Sequence, residues 1–430
     1  MHPIRILLLL LLPLVGCGQP DRPSLPEQEQ VSPHAASGGV NAPDQRSKPT
    51  LILVSIDGFR WDYPDLFDTP AIDRLVQSGV RAEALVPAFP TLTFPNHYTI
   101  ATGLYPGDHG IVANNFPSRD RTRWYQYKRR ETVQDGRWYG GEPIWVAAER
   151  AGMVSAAFFF VGTEAAVGGV QPSYWRAFDA QVPGIDRVDQ VLRWLALPAA
   201  SRPHMITLYF EDVDVASHAY GPESRENLRA VRHVDAYLDR LMQGIAALPV
   251  SDNVYVVLVS DHGQSTYKQN ARPFVLGDHV DLKGIATVDG GSLSFLFFNK
   301  PDRRRAASIR DVVNNKWQHG KVWLRNEAPS EWHVADDSRF PDLIVLADPQ
   351  QAVLSERKAS YKLLAGNHGW DPSFEDMHGI FIATGPRLPQ GERIGRINSV
   401  DIYPLMLEIL GLSNGRPLDG DPESLTRLLR

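Results

Sequence analysis

The chain has 430 residues, 43% of them hydrophobic and 22% charged, with a formal net charge of −6. This balance fits a folded globular protein, excludes a disordered or fibrous one, and offers no basic field for wrapping nucleic acid. The single cysteine, Cys17, excludes an intrachain disulfide and a cysteine-based metal motif.

The first element reads as an export signal. His2 and Arg5 precede an apolar run over 6–15 that is interrupted only by Pro13. That run is shorter than the roughly 20 residues a spanning helix needs. Leu14-Val15-Gly16-Cys17 resembles a bacterial lipoprotein signal, in which cleavage before the cysteine exposes it for lipidation. Residues 1–16 are therefore expected to be a signal peptide, with a lipid anchor at Cys17 as the sole membrane contact. Residues 17–49, rich in Pro, Gln, Ser and Gly, read as a flexible tether holding the body off the membrane in the periplasm or cell envelope.

The body, expected over 50–415, begins with a continuous apolar run at 50–56, the pattern of a strand covered on both faces. Similar runs follow at 155–161, 205–210, 254–260, 343–347 and 380–384. Helical periodicity lies between them at 73–79, 187–196, 223–244 and 400–411. Alternating strands and helices predict an α/β fold with a doubly wound, mainly parallel sheet and helices on both faces. The stretch at about 267–332 breaks this rhythm, with many turns, Arg303-Arg304-Arg305 and one strand candidate at 292–298, and reads as an inserted subdomain. Its basic cluster, and the one at 119–130, read as solvated faces.

Asp and His residues gather just past the strand ends. Asp57 follows Ile56, the run to Phe210 leads into Asp214 and His218, and the run to Ser260 ends in Asp261-His262-Gly263. In an open α/β sheet that carboxyl edge is where ligands bind. Each group alone could be a turn or helix cap, but three on one edge point to metal ligation. Mixed Asp and His donors suit zinc best, and two ions about 4 Å apart would give two-metal phosphoryl hydrolysis.

A nucleophile candidate lies in the run Phe89-Pro90-Thr91-Leu92-Thr93-Phe94-Pro95-Asn96-His97. Pro95 suits the first turn of a helix running to Gly103, which puts Thr93 at a helix N-terminus whose N–H groups favour phosphate. A threonine hydroxyl needs a base or metal to act as a nucleophile. Read alone, Thr91 or Thr93 could equally be an N-cap.

Together these residues resemble a known family. Asp57-Gly58-Phe59-Arg60, the run from Pro90 to Tyr98, Thr102-Gly103-Leu104-Tyr105-Pro106, His109-Gly110-Ile111-Val112-Ala113-Asn114, Asp214 with His218, Ser260-Asp261-His262-Gly263 and Gly366-Asn367-His368-Gly369 resemble the nucleotide pyrophosphatase/phosphodiesterase family of the alkaline phosphatase superfamily. The resemblance covers about 50–415, in order, and implies an alkaline-phosphatase-like fold in a bacterial member. It implies two zinc ions, one held by Asp214, His218 and His368, the other by Asp57, Asp261, His262 and the Thr93 oxygen. Thr93 would form a phospho-threonine intermediate in cleaving nucleotide phosphodiester and phosphoanhydride bonds, releasing a nucleoside 5′-monophosphate. Asn114 and the Thr93 N–H would bind a phosphoryl oxygen. Phe94 would stack a nucleobase, with Tyr174 and Tyr209 as further walls. His97, His109, His279 and His378 are expected to be structural or surface residues. Phosphomonoesterase, phosphonate hydrolase and choline-lipid phosphodiesterase activities remain open alternatives.

Overall fold

The computed structural model describes residues 30–334, 339–357, 362–413 and 415–429. The expected signal peptide and Cys17 anchor lie outside the described residues. Strands β1 (Thr50–Ile56), β2 (Val80–Ala82), β3 (Ser155–Phe158), β4 (Tyr174–Trp175), β5 (Met205–Phe210) and β6 (Val254–Val259) precede a second sheet. That sheet consists of β7 (Ile285–Asp289), β8 (Leu293–Phe298), β9 (Gly320–Leu324) and β10 (Leu343–Ala347); β11 (Phe381–Thr384) and β12 (Glu392–Ile394) then return to the first. The helices that matter below are α1 (Thr93–Thr102), α2 (Gly184–Leu195), α3 (Asp212–Tyr220), α4 (Arg225–Ala246), α5 (Arg303–Lys316) and α6 (Ile402–Leu410).

The main sheet runs β12-β2-β11-β6-β1-β5-β3-β4. Strand β1 sits centrally, parallel to β5 and β6, and β3 is parallel to β5 and β4. Only β11 is reversed, pairing antiparallel with β6 and β2. Both faces are covered. Leu51 and Leu53 join a core with Tyr98 and Ile100 of α1 and Leu405 and Met406 of α6. The alternate residues Ile52 and Val54 are also fully buried and, by the period of two, face the other way. There α2 brings Trp194 beside Phe158, and α4 brings Tyr237 beside Phe210. The doubly wound α/β expectation therefore holds.

Three sequence expectations need correction. The run at 343–347 was expected with the main strands, but β10 pairs antiparallel with β8 and β9. A short run buried on both faces carries no directional signal. The inserted unit is thus a four-stranded antiparallel sheet reaching at least Ala347, beyond the expected boundary near 332. One face, through Phe295, Phe297 and Ile344, joins the main core; the other packs Leu296, Leu343 and Val345 with Ile309 and Val313 of α5.

Second, the run at 155–161 stops being a strand at Phe158, because Phe159 turns to φ +61. Third, the described part of the expected tether, from residue 31 to residue 49, is docked on the body. Asn41 is 1% exposed; its Nδ2 donates to Ala199 O (2.9 Å) and Arg202 O (2.7 Å), and its Oδ1 accepts from the Val154 N–H (2.7 Å). Buried Glu149 accepts from the Ser37 N–H and from the N–H and hydroxyl groups of Ser155 and Ser173. Low hydrophobicity predicted disorder, but polar anchoring does here what apolar burial does elsewhere.

Candidate active site

Register places the chemistry. Ile56 pairs with Phe210 and Ser55 with Val259, so Asp57, α3 and the Ser260–Asp261–His262 turn all leave the sheet at one edge. The Gly58 N–H donates to Asp261 Oδ1 (3.2 Å) and the Phe59 N–H to Ser260 Oγ (3.0 Å), tying the two strand ends together. Helix α3 starts directly after β5 and puts Asp214 and His218 one turn apart, Oδ2 to Nε2 3.4 Å. His368 arrives on a loop that Asn367 pins to Ser265 through a reciprocal backbone pair, each 2.8 Å.

Among the described residues, three overlapping groups of ligand atoms result, each within 4.8 Å mutually: Asp214, His218 and His368; Asp57, Asp214 and His262; and Asp57, His97 and Asp261. The first is the set expected from the sequence. Asp57, Asp261 and His262, the other expected set, also meet, with His262 Nε2 3.0 Å from Asp261 Oδ2 and 3.6 Å from Asp57 Oδ1. Thr93 Oγ1 lies 3.4 Å from His262 Nε2.

His97, expected to be structural or surface, is fully buried with Nδ1 3.3 Å from Asp261 Oδ2. Its Nε2 is engaged by Ser55 Oγ (2.8 Å) and its Nδ1 by Thr93 O (2.9 Å), so it braces the cluster instead of facing it. The other three imidazoles also turn Nδ1 to a carbonyl, His218 to Gly366 (2.9 Å), His262 to Gly263 (3.0 Å) and His368 to Thr91 (2.8 Å), but their Nε2 atoms face the cluster carboxylates. A donated Nδ1–H leaves Nε2 as the lone-pair atom toward the cluster, the usual arrangement of metal-binding histidines.

Electrostatics point the same way. Burial, then the negative charges of Asp261 and Asp214, holds the Asp57 carboxyl well above the usual carboxylate range. Asp57 Oδ1 is buried and accepts no hydrogen bond. Burial, then His262 and His218, pushes His368 well below the ordinary histidine range, keeping it in the neutral ligating form. An ionised oxygen buried without a partner is strongly unfavourable. A divalent cation is the partner that this set of carboxylate oxygens and neutral imidazole nitrogens fits.

Thr93 is the first residue of α1, and Leu92, the N-cap, makes no side-chain cap bond. The Thr93 hydroxyl is thus not spent on capping. Thr91 is spent otherwise: its hydroxyl donates to Trp370 O (2.7 Å). Asn96 holds the approach loop, its Oδ1 accepting from the Ala88 N–H and its Nδ2 donating to the carbonyls of Ala88, Pro90 and Leu92. As the first helical residue, Thr93 has a backbone N–H with no intrahelical acceptor. Asn114 Oδ1 accepts from the Phe94 N–H (3.0 Å), which fixes the amide and reserves Nδ2 as a donor.

The aromatic walls differ in part from expectation. Phe94 is half-buried, its ring 5.6 Å from Tyr127. Tyr127 stands at the open end of a hairpin that pairs Asn115 with Gln126, and its N–H donates to Asn114 O (3.1 Å). Sequence reasoning missed Tyr127 because it sits in the basic stretch read as a solvated face. Tyr174 belongs to the core: it is 6% exposed in an edge strand, and its ring stacks on Trp194. Tyr209 donates its hydroxyl to Asp57 Oδ2 (2.6 Å), so its polar end serves a cluster carboxylate. The exposed ring near it is Phe178, 6.0 Å away, which no sequence motif marked.

Comparisons with known proteins show which family the chain resembles. A family model described as type I phosphodiesterase / nucleotide pyrophosphatase matches residues 51–371. Human ectonucleotide pyrophosphatase/phosphodiesterase family member 1 is 33% identical over 390 residues, covering 89% of this chain and 42% of the relative. Venom phosphodiesterase CdcPDE of Crotalus durissus collilineatus is 32% identical over 403 residues, covering 92% and 48%. The chain spans about half the length of these relatives. Among solved structures, murine ectonucleotide pyrophosphatase / phosphodiesterase 5 superposes with a TM-score of 0.82 at 28% identity, over 89% of this chain and 100% of that one. An inactive threonine-to-alanine variant of that murine protein, 27% identical, has been solved in complex with AMP with the same TM-score and coverage.

Proposed function

The chain belongs to the type I phosphodiesterase / nucleotide pyrophosphatase family, and from that premise we propose that it hydrolyses phosphodiester and phosphoanhydride bonds in nucleotides, releasing a nucleoside 5′-monophosphate. The observation that carries the proposal is the Thr93 hydroxyl at the start of α1, within hydrogen-bond distance of His262 Nε2 (3.4 Å) and beside the Asp and His cluster. Asp214, His218 and His368 would hold one zinc ion, and Asp57, Asp261 and His262 with Thr93 Oγ1 the other. Bound zinc supplies a lowered pKa for hydroxyl and water and neutralises phosphoryl charge.

The chain's own groups do the rest. Thr93 Oγ1 gives up its proton and bonds to phosphorus as the bond from phosphorus to the leaving oxygen breaks, and that oxygen takes up a proton. Water then splits the phospho-threonine, releasing the monophosphate and restoring the hydroxyl. The Thr93 N–H at the helix N-terminus and Asn114 Nδ2 would donate to a non-bridging oxygen, where charge develops in both steps. Phe94 and Tyr127 offer the apolar surface on which a base would stack. That the murine structural neighbour, as an inactive threonine variant, was solved in complex with AMP supports a nucleotide as the ligand. Export and a lipid anchor at Cys17 form part of the same proposal, placing the enzyme in the cell envelope.

The test is a substrate panel of nitrophenyl thymidine monophosphate, ATP, a dinucleotide, glycerophosphocholine and nitrophenyl phosphate, with and without a chelator. Turnover of the nucleotide diester should exceed that of the monoester, vanish with chelator and return with added zinc. Faster turnover of nitrophenyl phosphate, or indifference to the chelator, would contradict the proposal.

A further inference from the structure

Behind the metal cluster lies a buried amide that the proposed mechanism does not use. Gln264 follows His262 by two residues and is fully buried. Its Nε2 donates to Asp214 Oδ1 and approaches Asp214 O at 3.3 Å. Its Oε1 is buried with no partner. Leaving a buried amide oxygen unpaired is unfavourable, which the hydrogen bond from its N–H to Asp214 offsets. The amide also lies against two glycines. A Cβ on Gly58, which has φ +68, would come within 2.8 Å of Nε2, and one on Gly366 within 3.1 Å of Oε1. Both neighbours are glycines, and a side chain at either would crowd the amide.

We infer that Gln264 is a positioning residue for the metal site formed by Asp214, His218 and His368: by holding Asp214 Oδ1 it fixes the carboxylate plane and leaves Oδ2, 3.4 Å from His218 Nε2, as the ligand oxygen. The inference rests on the metal reading given above. It adds that the two sites are tuned separately. The site of Asp214 takes its orientation from a neutral side-chain amide, whereas Asp57 takes its own from the Tyr209 hydroxyl and Asp261 from the Gly58 N–H. Partners of this outer kind change metal affinity by roughly ten- to a hundredfold when removed.

The experiment is a zinc titration of the metal-free full chain against a competing chromophoric chelator. Wild type should bind two zinc ions in resolvable steps, and His218→Ala should remove one of them, which identifies the Asp214 step. Gln264→Met keeps the length and apolar bulk of the side chain but has no N–H to donate. It should weaken that same step by about ten- to a hundredfold and leave the other within about threefold. Melting of the metal-free proteins checks that the fold is intact; should Gln264→Met not fold, Gln264→Leu is read the same way. Two unchanged steps in the variant, beside two in wild type, would reduce Gln264 to packing and overturn the inference while sparing the metal reading. Equal weakening of both steps would overturn the separate tuning. A wild-type chain that takes up no zinc would overturn both readings together.

Discussion

The chemistry of Thr93 depends on what its neighbours have already claimed. Thr91 gives its hydroxyl to Trp370 O and its carbonyl to His368 Nδ1, so it links the nucleophile loop to the loop that brings His368. Asn96 holds three carbonyls and one N–H of the same approach. Thr93 alone keeps a half-buried hydroxyl beside the cluster. Thr93→Ala should therefore lower diester turnover by a factor of about 10⁴ or more while zinc content stays at the wild-type level. Turnover within tenfold of wild type, at equal zinc content, would remove Thr93 from the nucleophile role. Six of the cluster residues were legible in the sequence for separate reasons. Asp57, Asp214, His218, Asp261 and His262 follow strand ends, a local signal, whereas His368 lies in a loop and needed the resemblance to be found. Gln264 was not legible, since a glutamine between Gly263 and Ser265 shows its use only once the fold brings it to Asp214 of α3.

At the scale of elements, the docked N-terminal segment makes a measurable claim. Asn41, itself buried, holds two carbonyls of the body and the buried Val154 N–H. Asn41→Ala should cost about 3 kcal/mol of stability in urea denaturation; a loss below about 0.5 kcal/mol would mean the segment is only loosely held. Composition misled here because it measures apolar content, and this segment is fastened by hydrogen bonds. The short helix Pro106–His109 ends in a second such device. His109 is fully buried, accepts from the Ile111 N–H at Nδ1 (3.1 Å) and donates from Nε2 to Thr99 Oγ1 (3.0 Å). Burial pushes its pKa down to about 3. A folded-state pKa below the unfolded value of about 6.5 means the unfolded chain takes the proton first. The stability His109 contributes is then full above pH 6.5 and lost as pH falls toward 3. His109→Gln should flatten the decline of stability between pH 6.5 and 4 by about one proton; an unchanged slope would contradict the buried neutral state.

Over the whole molecule, one sheet edge gathers groups far apart in the chain. Parallel register between β1, β5 and β6 sends three strand ends to the same rim, and periodicity alone made that legible. The second sheet was not legible in the same way. Its strands are short, and β10 has the same buried pattern as a main-sheet strand, so nothing local says which sheet it joins. Its placement matters for the site, because Ser292 Oγ, next to β8, donates to His368 O (2.6 Å) and ties the last ligand loop to the inserted unit. The rim thus draws on both sheets and on α1 and α3, and its function requires that all of them meet around paired cations. Anomalous diffraction at the zinc edge, from crystals of the zinc-loaded chain, tests that requirement directly. Two peaks are expected, one among Asp214, His218 and His368 and one among Asp57, Asp261 and His262 beside Thr93. Crystals with no ordered peak at either group, or with zinc bound only elsewhere on the surface, would contradict it.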